Sequence, residues 1–318
     1  MNKSKKLLLS VSLLLASSVP LSACFAYGCS SSPGWENQGF VSDQGWMIDL
    51  RGDYIHQNHL QSGTHSVSEA DKALPNVREI ENFTTQYYTT LSVDYRSQTP
   101  FGVNVSIPYL DRNHGTVAAD DSDETRSHTK SLGDIRLNGR YQVDELDSSW
   151  GIRVGLKLAT GSHTATFDSG PEVGELIDRG LQAGTGTSDM LLGAYRFADI
   201  NDNFDYFIQA GYKVPLRERE GYKPGNQLNT DIGIRWIANK GWRPQLNLNA
   251  KFESRDKGVN SDADNSGGNT FYLNPGITVD LVKNLKGYAF IQLPLYMYVN
   301  GYQLVPLWTA TTGVTYRF

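Results

Sequence analysis

The sequence predicts an all-β chain: a transmembrane, antiparallel up-and-down β-barrel of about 12 strands, with short turns on the periplasmic side and long loops outside. Three observations predict it. Apolar and polar residues alternate with period two in segment after segment, the pattern of a strand whose two faces meet different surroundings. Short and long connections alternate, as in hairpins threaded through an outer membrane. Finally, the alternation runs through "WTATTGVTYRF" to the last residue, Phe318, where an ordinary globular domain would fray.

The N-terminus justifies an exported location. Lys3, Lys5 and Lys6 precede an apolar run from Leu7 to Leu15 and then small residues. This is a secretory signal peptide, too short for a membrane helix. Residues 1–26 are assigned to it, with cleavage either before Cys24, after the lipobox-like "LSAC", or after Ala26; the first option puts a lipid on Cys24. Residues 27–45 are either a periplasmic tail or a lumen plug, and 46–318 form the barrel. The 2 cysteines both precede residue 30, so no disulfide framework holds the body. A net charge of −5 argues against nucleic acid as a partner.

The strands follow in order. In "WMIDLRGDY", Trp46, Ile48, Leu50 and Tyr54 oppose Asp49, Arg51 and Asp53. "YYTTLSVDYR" sets Tyr87, Leu91, Val93 and Tyr95 against Ser92, Asp94 and Arg96. "FGVNVSIPY" and "GDIRLNGRYQV" follow, the latter with Asp134, Arg136, Asn138 and Arg140 on its polar face. "WGIRVGLKL" opposes Arg153 and Lys157 to its apolar residues. The facing of "SDMLLGAYRF" is not assigned. "DYFIQAGYKV", "QLNTDIGIRWI" (polar Asp231 and Arg235), "PQLNLNAKFE" (polar Lys251 and Glu253), "FYLNPGITVDL", "YAFIQLPLYMYV" and the terminal strand complete the set. Long loops are expected near 57–82, 113–130, 161–187, 217–226, 256–268 and 300–306.

Lipid explains these features better than a soluble core. Strands of about 9–13 residues match the ~9–11 of a tilted crossing, whereas soluble strands average about five or six. In lipid every backbone group must be paired, which forces the sheet to close. Aromatic residues at strand ends, including Trp46, Tyr95, Phe101, Tyr109, Tyr141, Trp150, Trp236, Phe271, Tyr288, Trp308 and Phe318, are expected in interfacial girdles. Pro108, Pro215, Pro275 and Pro294 each remove a ladder donor and are expected at bulges or rims.

The ending Val314-Thr-Tyr316-Arg-Phe318 resembles the terminal signature of Gram-negative outer-membrane proteins, which implies recognition by the barrel-assembly machinery. Longer stretches, "GDIRLNGRY", "GLKLATGSH", "GTGTSDMLLGAYRF" and "YLNPGITVDL…IQLPLY", resemble the transporter-like barrels grouped as the "MetA-pathway of phenol degradation" family. Ala159 stands where that family commonly has Pro. The resemblance implies passage of small, often hydrophobic or aromatic molecules.

The candidate solute path is the inward charge array: Asp49, Arg51, Asp53, Asp94, Arg96, Asp134, Arg136, Arg140, Arg153, Lys157, Asp231, Arg235, Lys251 and Glu253. Such ladders set a field that selects solutes; alternatively they pair and fill a narrow barrel. About twelve strands lie between the filled eight-stranded and the open 16–18-stranded cases. Val314, Tyr316 and Phe318 are the candidate assembly signal. His56, His59, His65, His114, His128 and His163 fall in or near the first three long loops, an ordinary place for His, and no metal or cofactor is assigned. No G-x-S-x-G motif occurs, so no catalytic site is assigned. The expected function is a channel for a small solute, with a non-conducting receptor or structural barrel as the alternative, a barrel-borne hydrolase a remote third, and membrane lipid as the surrounding partner.

Overall fold

The computed structural model describes residues 44–239 and 241–318. Among them lie β1 (Gly45–Gly63), β2 (His65–Ser66), β3 (Ile80–Arg96), β4 (Phe101–Val117), β5 (Glu124–Leu132), β6 (Arg136–Asp144), β7 (Ser148–Lys157), β8 (Asp189–Asn201), β9 (Phe204–Pro215), β10 (Gln227–Trp236), β11 (Trp242–Glu253), β12 (Gly268–Val282) and β13 (Leu285–Arg317). The predicted signal peptide, Cys24 and nearly all of the 27–45 segment lie outside the described residues.

The strands form one closed antiparallel sheet, β13 pairing with both β12 and β1. A closed ring with every pairing antiparallel needs an even number of crossings. Two details supply it. β5 and β6 flank the two halves of the same neighbour, β4, and share one place in the wall. β13 is a hairpin: residues 285–299 lie on β12 and 299–317 on β1. Its two limbs run side by side, since the Arg317 amide donates to the Asn284 carbonyl at 2.9 Å. The wall therefore has 12 crossings among the described residues, as the sequence predicts.

The predicted faces hold. Trp46, Ile48 and Leu50 are exposed on the outside, whereas Asp49, Arg51 and Asp53 are buried inside. Two outward rings of aromatics bound this apolar belt. At the short-turn end Trp46 meets Tyr95 at 4.8 Å, Phe101 meets Tyr141 at 5.4 Å and Trp236 meets Trp242 at 5.3 Å between ring centroids. At the long-loop end Tyr54 meets Tyr87 at 5.1 Å and Trp308 at 5.6 Å.

Four expectations need correction. Parts of the predicted loops 57–82 and 113–130 are strand, because β1, β3 and β4 continue beyond the aromatic ring. Their outward residues there become polar (His56, Asn58, Asn82), and pairing with neighbours keeps them extended in water. The predicted 300–306 loop is likewise extended, reversing at Gly301 with φ 58°. Tyr288 is not in a girdle. It is 3% exposed inside the lumen, its hydroxyl donating to Asp49 at 2.9 Å. Three prolines sit as expected: Pro215 ends β9, Pro108 lies where β4 changes partner, and Pro294 adjoins a register shift; Pro275 does not, since it lies inside β12 in regular register opposite Leu246.

Candidate functional site: the lumen

The strand residues of the predicted charge array alternate with outward-facing neighbours such as Leu50, Ile152, Ile234 and Phe252, while Asp134 lies in the connection between β5 and β6 and is buried against the cavity. The structure divides the array by height. Toward the short-turn end the charges pair across strands: Arg140 grips Asp94 through two bonds of 2.6 and 2.7 Å, and Arg235 grips Asp205 at 2.8 and 2.6 Å. Arg96 binds Asp144. Bidentate guanidinium–carboxylate pairs are geometrically specific, which suits them to fixing one strand against another.

Aromatic rings fill the same level, and alternation alone did not place them there. Tyr195, Phe197 and Phe207 form a buried inward cluster, and this settles the facing of β8. The Tyr195 hydroxyl donates to Gln142 at 2.9 Å, and the Arg153 guanidinium lies 5.0 Å from its ring centroid. Glycines make room for Tyr195 and Phe207, and for Phe290 on β13. A Cβ at Gly151 would stand 2.5 Å from Tyr195, one at Gly233 2.3 Å from Phe207 and one at Gly276 2.0 Å from Phe290.

Above this level is a cavity of about 200 Å³, lined by Asp49, Arg51, Asp53, Asp134, Arg136, Arg153, Lys157 and Asp231 together with Tyr88, Pro108, Ala183, Leu191 and Lys213. Lys157 binds Asp134 at 2.8 Å and Asp189 at 3.1 Å. Asp134 also accepts the Gly161 and Thr185 amides at 3.0 and 3.1 Å. Those two amides belong to the 158–188 connection, so a lumen carboxylate holds an outer loop inside the barrel. Lys251 and Glu253 pair at 2.7 Å near the long-loop end.

That loop roofs the cavity. Its Phe167, Ile177 and Leu181 pack with Leu60, Ile80 and Leu304 from the strands and Val67 from the connection after β2 into an apolar cluster. Arg112, fully buried on β4, donates to the Leu181 carbonyl and, at 2.7 Å, to Gln86. Arg112, Asp189, Asp205 and Lys213 are inward charges that the predicted array omits, although the same alternation reaches them.

Among the outer loops, burial and the charge of Glu253 raise the Asp256 carboxyl to about 6, although the Gly225 amide and Tyr222 hydroxyl donate to it. Asp178 is raised well above the carboxylate range by burial and by the carboxylates Glu79, Glu81, Asp262 and Glu172. Bonding to Arg179 lowers Glu220, which His163 also approaches at 3.3 Å.

A closed sheet with an apolar, aromatic-girdled exterior and a charged interior defines the class: a transmembrane β-barrel of the bacterial outer-membrane type. No protein-family model matches the chain, and no curated protein does, so the family resemblance of its motifs is not confirmed. Among solved structures the chain is similar to the COG4313 outer membrane channel from Pseudomonas putida F1, with 12% identity, 88% of this chain and 98% of that one covered, and a TM-score of 0.63. The Ralstonia pickettii toluene transporter TbuX aligns with 11% identity over 87% and 90% of the two chains at a TM-score of 0.43. The KdgM porin aligns with 12% identity over 86% and 99% at 0.42. At these identities the likeness is one of fold.

Proposed function

We propose that the protein is an outer-membrane channel for a small solute, whose path passes between the inward 158–188 loop and the charged wall. The observation that carries this reading is the cavity of about 200 Å³ lined by charged side chains inside the barrel. A barrel that served only as a scaffold gains nothing by burying charges around a space; charged linings of this kind select solutes in pores. The predicted lumen residues are proposed as the path. Val314, Tyr316 and Phe318, all exposed on the outer face, are proposed as the assembly signal. Residues 1–26 are proposed as a removable leader, and mass spectrometry of the mature N-terminus distinguishes an acylated Cys24 from cleavage after Ala26.

Reconstitution in planar bilayers tests the channel. Discrete current steps are expected; absence of current, together with unchanged solute uptake on gene deletion, sinks the reading. A second reading draws on the aromatic cluster and the roofing loop, which fill the lumen above and below the cavity. On that reading the barrel does not conduct and acts through its outer loops.

A further inference from the structure

We infer that the lumen cavity is an anion site, in which Arg136 holds the acidic head of a small organic anion, a carboxylate or sulfonate, while Tyr88, Pro108 and Leu191 face its apolar body. The inference deepens the channel reading by naming a solute class.

Most carboxylates around the cavity are already bonded to groups of the barrel. Asp49 accepts from Tyr288 at 2.9 Å and Thr315 at 2.8 Å. Asp53 accepts from Arg51 at 2.7 Å and Thr311 at 2.5 Å. Asp134 holds Lys157 and two loop amides, as above, and Asp231 accepts from Asn249 at 2.7 Å and Gln209 at 3.2 Å. Each of these carboxylates is thus occupied by groups of the barrel itself, and a cation entering the cavity would have to displace them.

Arg136 differs. It lines the same cavity and is half-buried, yet it has no hydrogen-bond or ion-pair partner among the described residues. A guanidinium carries five donors in a planar fork and matches an oxyanion two bonds at a time. Asp134 and Asp189 are near enough to act on it through space, but both are bonded to Lys157 and neither bonds to Arg136, so its donors are open to an incoming oxyanion. Pairing register places Ser106 on one side of Arg136 and Lys157 on the other, so a hydroxyl and a second cation flank it. Pro108 is two residues beyond Ser106 on the same inward face, and Tyr88 on β3 and Leu191 on β8 line the same cavity, each two strands from β6. The lining is therefore cationic at one point and apolar beside it, which fits an amphipathic anion better than a sugar or a metal ion.

The full-length protein in detergent, titrated with sodium 1-propanesulfonate and followed by ligand-observed NMR, tests the site without requiring conduction. Wild type is expected to bind the sulfonate, and Arg136→Gln to bind it roughly tenfold more weakly or worse, the loss of one charge-assisted pair. Arg136→Lys should retain part of the affinity. Butyramide, similar in size and neutral, should show no dependence on residue 136, and Arg255→Gln on an outer loop should match wild type. Heat-modifiable gel mobility verifies that each variant is folded. In bilayers under a gradient of the same salt, the zero-current potential of Arg136→Gln should shift toward cation preference. If wild type does not bind the sulfonate, or Arg136→Gln binds it equally well, the anion site is overturned even when the barrel conducts. If binding depends on Arg136 but no current flows, the channel reading falls and the site stands as a receptor's.

Discussion

The inward glycines show how a single hydrogen in place of a side chain decides what fills the lumen. Gly276 lies under Phe290, and the ring occupies the place a Cβ would take. Gly276→Ala therefore forces Phe290 or the strand to move, and overpacking of this kind costs about 1–3 kcal/mol; a lower urea midpoint for unfolding from lipid vesicles would register it. The buried Arg140–Asp94 pair makes a second case. Removing one partner leaves an uncompensated charge at 4% or 1% side-chain exposure, so Asp94→Ala should destabilise by about 3–5 kcal/mol. A double replacement by apolar residues should cost much less, and the same unfolding assay separates the two. Asp256 gives a pH dependence. Its folded-state value, about 6, exceeds the ordinary 3.8, so ionisation opposes the loop packing. The contact is strongest below the ordinary value and weakens as pH rises through about 6. Hydrogen-exchange protection of the Gly225 amide, corrected for intrinsic rate, should accordingly rise as pH falls from about 7 to about 5, and Asp256→Asn should abolish that trend.

At the scale of the strand, one alternation sets both the lipid face and the lumen. Leu248 and Asn247 are adjacent on β11, the first exposed outward and the second buried inward. Leu248→Arg should cost ~2–4 kcal/mol in folding into a bilayer, because it places a cation at mid-membrane; Asn247→Arg should cost less. Folding titrations in vesicles compare the two directly. The same alternation explains what was legible in the sequence. Asp49, Arg51 and Asp53 stood out because charged residues interleave with Trp46, Ile48 and Leu50. Tyr288 did not, because a tyrosine suits either a girdle or a hydroxyl-bonded lumen position, and only the reach of its hydroxyl to Asp49 in the closed ring decides. Phe207 was illegible for a related reason: its ring occupies space left by Gly233 on the neighbouring strand, and strand neighbours are not printed in a single chain's pattern. The 158–188 segment read simply as a polar, Gly-rich loop. Its inward fold depends on Asp134 and Arg112, which lie far away in sequence.

The whole molecule adds closure and a roof. If the 158–188 loop restricts a conducting path, trimming the segment around 167–180 and bridging the cut with a short Gly-Ser linker should raise single-channel conductance. Unchanged conductance would place the restriction in the aromatic layer below. Closure itself rests on the two ends of the ring. The Trp46 amide donates to the Phe318 carbonyl, and the Phe318 amide to that of Trp46, each at 3.1 Å. Beginning and end of the wall are thus next-door neighbours, and the position at which the chain is cut is arbitrary as far as the sheet is concerned. A gene rearranged to start after the turn at 202–203, with Phe318 spliced to Gly45 through a few flexible residues, encodes the same ring with Phe318 in its interior. Refolding of that rearranged chain in vesicles tests whether the wall closes from any starting point, and its yield in cells tests the proposal that a terminal Phe318 is part of an assembly signal.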